Sequence, residues 1–300
     1  MDKIYDIITR TIKEENILRD ELLSKHTTFR IGGKADYFVK PASENEVAVL
    51  VKELNENNID FYIMGNGSNI LASDEGYRGV IVYIGENLSD IELLDESTIK
   101  AGAGAMLSKV ARVALDNSLS GMEFASGIPG SVGGAVVMNA GAYGGEIKDI
   151  IVKVKVCEKS GRIFEIANEE LDFSYRHSAI QEEGYTVLGA IFTLKPGNKD
   201  EISRTVKEIS AKRKEKQPLE YPSAGSTFKR PEGYYAGKLI MDAGLRGYRV
   251  GGAMVSEKHC GFVINADNAT ASDVKKLMED VADKVEEQYG VRLEPEVKFL

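Results

Sequence analysis

Only two cysteines, Cys157 and Cys260, occur in 300 residues. That is too few for a disulfide framework, and although the sequence does not say whether they meet in space, reduced thiols in a cytosol are the simpler reading. No run approaches the ~18 consecutive apolar residues of a membrane span. Met1 to Arg10 sets acids among its apolar residues and has no continuous apolar core or small-residue cleavage site, unlike a secretory signal. An excess of positive charge is missing as well: 38 Lys and Arg stand against 47 Asp and Glu, a net charge of -9 that disfavours non-specific attraction to nucleic acid or anionic membrane. An anionic ligand therefore needs a local basic pocket. No Cys/His or acidic spacing suggests a metal site, and internal repeats, low-complexity tracts and heptads are absent. The expectation is a soluble, cytoplasmic protein that binds neither nucleic acid nor membrane.

What is present is core-forming material. Hydrophobic residues at 43% and charged residues at 28% match ordinary folded chains and exclude disorder. The length exceeds the roughly 100 to 200 residues of one domain, so two or three packed units are expected. Ile4, Ile7, Ile8 and Ile12, then Leu18 and Leu22, recur at helical spacing and predict an N-terminal helical segment over 1–25. Ser43 with Glu46 has capping-box spacing, and Val47, Leu50, Val51 and Leu54 follow as a stripe, which predicts a helix over 43–57. Extended stretches at Ala35 to Val39, Phe61 to Met64 and Gly79 to Ile84 complete a small α/β unit. Val152, Val154 and Val156, a Lys159–Ser160–Gly161 turn, and Ile163, Phe164 and Ile166 predict an antiparallel hairpin. Thr186 to Leu194 reads as a strand, Lys199 to Lys216 as a charged helix, and Thr270 or Ser272 to Tyr289 as a last helix before a strand-like Val291 to Leu300.

Two glycine-rich segments stand out. GNGSN at 65 to 69 suits a loop whose backbone N–H groups approach a phosphate, although taken alone a tight turn is the favoured reading. GMEFASGIPGSVGGAVVMNAGAYGG at 121 to 145 interleaves Ile128, Val132, Val136, Val137 and Met138 with glycines, so its backbone is packed closely against something rather than serving as a linker. A helix starting near Pro129 would aim free N–H groups at an anion such as a dinucleotide pyrophosphate; the plainer alternative is a helix-to-sheet packing site. Neither segment has the GxGxxG order of a Rossmann unit, which argues against a standard NAD-binding fold.

Five ordered blocks together resemble the UDP-N-acetylenolpyruvoylglucosamine reductase family. They are HTTFRIGGKADYF at 26 to 38, GNGSNILASDEGYRGVIV at 65 to 82, GMEFASGIPGSVGGAVVMNAGAYGGEI at 121 to 147, YRHS at 175 to 178 and SAGSTFKRP at 223 to 231, supported by AGKLI at 236 to 240 and EPEVKF at 294 to 299. The resemblance implies an α+β protein: a two-subdomain FAD-binding domain of the vanillyl-alcohol-oxidase or p-cresol-methylhydroxylase type over 26–196, split near 88, then an α+β substrate-binding domain over 197–300. It implies non-covalent FAD, NADPH as reductant, and an enolpyruvyl UDP-sugar as substrate, reduced to UDP-N-acetylmuramate for peptidoglycan. The chain looks like the shorter class of the family. A monomer is the default oligomeric state.

By the same resemblance the flavin nucleotide is wrapped by Arg30, by Gly65, Asn66, Gly67, Ser68, Asn69 and Ile70, and by Gly121, Ser126, Gly127, Ile128, Pro129, Gly130 and Ser131. Gly133, Gly134, Asn139, Ala140 and Gly141 continue that wall. Arg176 matches the family arginine: hydride addition to a vinyl group leaves carbanion character next to a carboxylate, and a planar guanidinium holds the developing oxygens. Ser226 matches the family proton donor, a role a hydroxyl fills only in a dry site. Glu296 matches the third catalytic residue. Lys216, Lys229, Arg230 and Lys238 are candidates for the substrate's diphosphate, and Tyr175 and His259 for further substrate contact. His26 reads as structural and His177 carries no role. Two other readings are a flavin oxidase of the same fold and a catalytically silent sugar-nucleotide binding protein.

Overall fold

The computed structural model describes residues 3–300; Met1 and Asp2, the start of the expected N-terminal helix, lie outside the described residues. In chain order the first elements are α1 (Lys3–Ile8), β1 (Ile17–Leu22), β2 (Lys34–Val39), α2 (Glu44–Glu56), β3 (Phe61–Met64), β4 (Ile70–Leu71), β5 (Tyr77–Tyr83), β6 (Ile91–Leu93) and β7 (Thr98–Gly102). The remaining helices are α3 (Leu107–Asp116), α4 (Val132–Val137), α5 (Ala179–Glu183), α6 (Lys199–Lys216), α7 (Ala236–Asp242) and α8 (Ala271–Tyr289). Two compact units interleave along the chain: residues up to 20 with 36–66 and 78–211, and residues 21–35 with 67–77 and 212–300.

The first unit is built on two sheets. One has strand order β1-β2-β5-β3, with β3 and β5 parallel so that Phe61 stands opposite Val80 and Met64 opposite Tyr83. Helix α2 forms where its stripe predicts: the Ser43 hydroxyl accepts from the Glu46 N–H at 3.2 Å, the Glu46 carboxylate accepts from the Ala42 N–H at 2.8 Å, and Val47, Leu50, Val51 and Leu54 are buried. The other sheet is five-stranded, in the order Ile163–Ala167, Ile151–Cys157, Thr186–Thr193, β7, β6, with antiparallel pairing throughout. The expected hairpin is its edge, with Val154 opposite Ile166. Val187, Leu188, Ala190 and Phe192 are buried at its centre, against which α4 packs.

The N-terminal expectation fails in its second half. The helix stops at Ile8, and Ile17–Leu22 is a strand beside β2. Leu18 and Leu22 have helical spacing, but β-branched Ile17 opens a stretch whose backbone is claimed by sheet pairing, with the Lys40 N–H donating to the Asn16 carbonyl at 2.9 Å. Available sheet partners outweigh a short periodic pattern.

The second unit packs α7, α8 and a three-stranded antiparallel sheet (Arg249–Val250, Ala253–Val255, Val263–Asn265) around Phe29, Ile31, Leu239, Val255, Leu277 and Val281. Of the strand-like end, Lys298–Phe299 pairs in parallel with β4, and Pro295 bridges to Phe228. Helix α8 is delimited by the Thr270/Asp273 capping box and by Gly290 at φ +67°. Its first turn has a second anchor. The Asp74 carboxylate accepts from the N–H groups of Ala271 (2.7 Å) and Ser272 (2.9 Å) and from the Ser272 hydroxyl (2.9 Å). Burial works to raise the Asp74 pKa, yet these donors outweigh it and hold the carboxyl below its ordinary value.

Among the described residues no helix is long and apolar enough to cross a membrane. Cys157 and Cys260 are both free and buried, and burial pushes the Cys157 thiol up to about 11.

Asp74→Ala is expected to cost about 1–2 kcal/mol at neutral pH, as lost helix caps do. A depressed folded-state pKa contributes stability that is present above the unfolded value of about 3.9 and is lost as pH falls through the folded value. Urea unfolding of wild type and variant should therefore converge below about pH 4; a gap that stays constant into acid would remove the carboxylate from the cap.

Candidate active site

The long glycine-rich segment turns the chain from α3 into α4 and back. Its tight packing follows from small residues: the Leu107 N–H donates to the Gly130 carbonyl at 3.0 Å, and Gly133 lies so near Ala103 that an added Cβ would approach the alanine Cβ at 3.1 Å. Helix α4 begins at Val132 with the buried Ser131 as N-cap, not at Pro129. Its first two N–H groups are not free for an anion, because Val132 donates to the Ala105 carbonyl and Gly133 to the Ala103 carbonyl, both at 2.8 Å. Those bonds lock the helix to the chain leaving β7, which leaves the preceding loop as the candidate phosphate surface.

That loop meets the start of GNGSN. A Cβ on Gly65 would lie 2.4 Å from the Ser131 Oγ, so a larger residue would have to displace that hydroxyl, and the Asn66 side-chain amide donates to the Pro129 carbonyl. Ser126 is held by its hydroxyl on the Glu123 carbonyl at 2.7 Å, the Ile128 N–H donates to the Ala125 carbonyl at 3.1 Å, and Gly121 donates to the Glu123 carboxylate at 2.8 Å. From Ser126 through Gly134, and from Gly65 to Asn69, the chain carries no acidic side chain, offering amide, hydroxyl and backbone donors alone. Such a donor set fits an anionic dinucleotide.

After α4, Asn139 becomes the pivot. It is 1% exposed and has φ +40°. Its amide donates to the Glu146 carboxylate (2.9 Å) and to the Ser174 carbonyl (3.1 Å), while its carbonyl accepts from the Lys148 N–H (3.0 Å). Ala140 closes the end of the helix on the Ala135 carbonyl at 2.8 Å, and Gly141 pairs with Glu146. The YRHS turn is then pinned from below: the Ser178 hydroxyl and the Gln181 amide both donate to the Val137 carbonyl, at 2.8 and 2.7 Å. Ser174 and His177 exchange backbone hydrogen bonds, which places Tyr175 and Arg176 at the tip. Arg176 has φ +58°, a conformation normally left to Gly or Asn. Its guanidinium lies 4.9 Å from the centroid of the exposed Tyr175 ring and helps hold the Glu146 carboxyl low, in company with Lys148 and Asn139 and against burial, the largest influence.

In the second unit, Ser226 is exposed between Gly225, at φ +77°, and the buried Thr227. Thr227 fixes that position three times over: its N–H donates to the Gly261 carbonyl (2.9 Å), its hydroxyl accepts from the Val263 N–H (2.8 Å), and its carbonyl accepts from the Glu296 N–H (2.9 Å). Ser226 and Glu296 are thus brought to neighbouring positions. The Glu296 carbonyl also accepts from the Asn69 amide at 3.1 Å, and Lys298 donates to the Asn69 carbonyl at 2.9 Å. Gly67 accepts from the Thr28 N–H at 3.2 Å, next to the turn that holds Arg30 at φ +55°. Ser68 is half-buried and Ile70 buried in β4. The ends of GNGSN therefore belong to separately described units, Gly65 and Asn66 to one and Gly67 onward to the other.

The basic candidates do not form one cluster of uncommitted charge. Lys229 pairs with Glu294 at 3.1 Å, Lys238 with Asp242 at 2.6 Å, and Arg230 lies 4.1 Å above the Tyr235 ring. Lys216 ends α6, exposed. His259 accepts the Gly261 N–H on Nδ1 at 3.1 Å, so Nε2 bears the proton of the neutral ring; burial, with Lys216 adding to it, depresses its pKa. His26 pairs with Glu21 at 3.0 Å. Glu146, Ser178, Gln181 and Thr227 are supporting residues that sequence reasoning missed. The one available signal was position: three of them sit inside the family blocks, Glu146 at 121 to 147, Ser178 at 175 to 178 and Thr227 at 223 to 231.

Comparison with known proteins matches these parts. Residues 35–167 match a model of an FAD binding domain, so the chain is a flavoprotein of α+β architecture. Residues 217–300 match the model described as UDP-N-acetylenolpyruvoylglucosamine reductase, C-terminal domain. The proteins of that name from Agathobacter rectalis and Lachnoclostridium phytofermentans are each 54% identical to it, the first over 98% of this chain and 96% of its own, the second over 99% and 97%. The crystal structure of UDP-N-acetylenolpyruvylglucosamine reductase from Thermus caldophilus superposes with a TM-score of 0.81 at 35% identity, covering 93% of this chain and 97% of that one. The chain belongs to the UDP-N-acetylenolpyruvoylglucosamine reductase family. The pollen protein Phl p 4, a glucose dehydrogenase, shares the fold over 66% of this chain and 45% of its own at 11% identity, with a TM-score of 0.52.

Asn139→Ala removes a buried group that joins Glu146, Lys148 and Ser174. The expected loss is about 2–3 kcal/mol of stability from the unpaired partners, together with weaker flavin retention on gel filtration. A variant with wild-type melting and full flavin content would contradict the role of Asn139 as the pivot.

Proposed function

We propose that this protein reduces the enolpyruvyl group of UDP-N-acetyl-3-O-(1-carboxyvinyl)glucosamine to give UDP-N-acetylmuramate, with NADPH as reductant and FAD as carrier, in the cytoplasmic making of peptidoglycan precursor. The observation that carries this reading is 54% identity, over nearly the whole chain, to reductases of that name. FAD held by the protein would supply the redox chemistry, relaying a hydride equivalent between NADPH and the terminal vinyl carbon. Gly65, Asn66 and the Ser126–Ser131 loop are the surface suited to its diphosphate; Gly67 to Ile70 and Arg30, which the family resemblance also assigns to the flavin, belong to the second unit.

The protein's own residues then manage charge and a proton. Hydride addition places negative charge on the carbon beside the substrate carboxylate, and delocalises it into the carboxylate oxygens. Arg176 offers a guanidinium fork to those oxygens, a contact that strengthens as charge develops. Its strained turn favours that use: a φ of +58° aims the side chain from a backbone with little freedom to relax. Ser226 delivers the proton to the carbanion carbon, and Glu296, whose backbone is bonded to Thr227 next in the chain, supports that step. Tyr175, Lys216, Lys229, Arg230, Lys238 and His259 are the candidates for holding the sugar nucleotide. Lys229 and Lys238 would have to exchange Glu294 and Asp242 for phosphate oxygens.

Ser226→Ala tests the proton assignment. Reduction of bound flavin by NADPH should persist at the wild-type rate, while product formation falls at least about a hundredfold, the scale of one lost transition-state group. Arg176→Ala should slow the same half-reaction by about 3 kcal/mol of barrier. Unchanged turnover in Ser226→Ala removes Ser226 from the mechanism.

A further inference from the structure

His177 follows Arg176 directly, and both of its ring nitrogens face acceptors. Nδ1 is 3.1 Å from the carbonyl oxygen of Asp172, and Nε2 is 3.0 Å from the Glu182 carboxylate. A neutral imidazole has a single N–H, and neither a carbonyl oxygen nor an ionised carboxylate can donate. Both bonds are made together by the imidazolium alone. The two partners stand on opposite sides of the turn: Asp172 opens the loop, itself at φ +41°, and Glu182 lies in the first turn of α5. The ring therefore ties the start of the loop to the helix that follows it, across the tip that carries Tyr175 and Arg176.

We propose that His177, as its imidazolium, is a positioning residue that holds the Arg176 turn in its strained working conformation, so that the charge-stabilising half of the reaction depends on a proton His177 keeps. This rests on the assignment of Arg176 to the substrate carboxylate. The strain supplies the reason: a non-glycine residue at positive φ persists only where its surroundings over-determine it. Below the tip Asn139 holds the Ser174 carbonyl, and Ser178 and Gln181 hold the α5 side, Gln181 also donating to the Arg176 carbonyl at 3.1 Å; the imidazolium adds the tie that joins the Asp172 end of the loop to α5. The charged groups facing the ring are Glu182 from α5 and Asp172 from the loop, both acidic. The bond to Glu182 first, then that to the Asp172 carbonyl, raises the His177 pKa above its ordinary value. A raised folded-state value means the brace is complete below about pH 6.5 and is lost as pH rises through the folded value.

The test uses flavin-loaded protein and two readouts. Nuclear magnetic resonance of the ring protons, with the His177 signal assigned by its loss in His177→Asn, should give a titration above about 6.5 that moves down in Glu182→Gln. In anaerobic stopped flow, reoxidation of reduced flavin by the enolpyruvyl sugar nucleotide should fall as pH rises through that same value. The fall should shift down with Glu182→Gln and vanish in His177→Asn, which is slower throughout by roughly ten- to a hundredfold, the scale of a misplaced group. Reduction of the flavin by NADPH should be unchanged in both variants, which a general folding defect would not allow. The proposal is overturned if His177 titrates below about 6.5, or if His177→Asn reoxidises at the wild-type rate while Arg176→Ala is slow. If Arg176→Ala is itself unimpaired, the substrate assignment on which the proposal rests is what falls.

Discussion

Arg176 occupies a left-handed backbone conformation, which costs an L-residue with a Cβ about 1–2 kcal/mol. The architecture of the first unit accounts for how that conformation is kept. Helix α4 is fastened at its start by Val132 and Gly133 to carbonyls just beyond β7, and its end supplies the Val137 carbonyl that Ser178 and Gln181 share. Asn139 then binds the next turn of chain to Ser174 on one side and Glu146 on the other. The glycines that let α4 and its preceding loop pack closely are thus part of the same support as the arginine. The loop proposed to face the phosphates and the arginine proposed to stabilise charge are supported by one short helix.

The second unit solves a similar problem with strands rather than a helix. As the proposed proton donor Ser226 needs exposure and a fixed position at once, and its neighbour Thr227 provides the fixing by spending its N–H, hydroxyl and carbonyl on three separate partners. The partner of the carbonyl is the Glu296 N–H, and the Glu296 carbonyl is in turn held by Asn69. Buried backbone bonds of this kind cost little conformational freedom in long side chains, so they set geometry more reliably than surface ion pairs such as Lys229–Glu294.

Much of the fold was legible because its signals are local. Ser43 with Glu46, the valine alternation from Val152 to Val156, and Thr270 ahead of α8 each act within a few residues, and each produced the element it predicts. Leu18 and Leu22 misled because sheet pairing with a strand further along the chain overrode their spacing. The free N–H groups expected at the start of α4 failed for a related reason, since their acceptors, Ala103 and Ala105, lie in another segment. The candidate site residues could be named only through the family blocks. Asn69 and Glu296 are separated by 227 residues, and nothing in their own neighbourhoods announces that they touch. His177 looked idle in sequence because its two acceptors, each five residues away, converge only once the loop and α5 have formed.

The most direct measurement is anaerobic absorbance of the purified protein through one catalytic cycle. The account predicts a yellow protein whose flavin is bleached by NADPH and recoloured, without oxygen, by one equivalent of the enolpyruvyl sugar nucleotide. A protein that carries no flavin, or whose reduced flavin stays bleached until air is admitted, would contradict it.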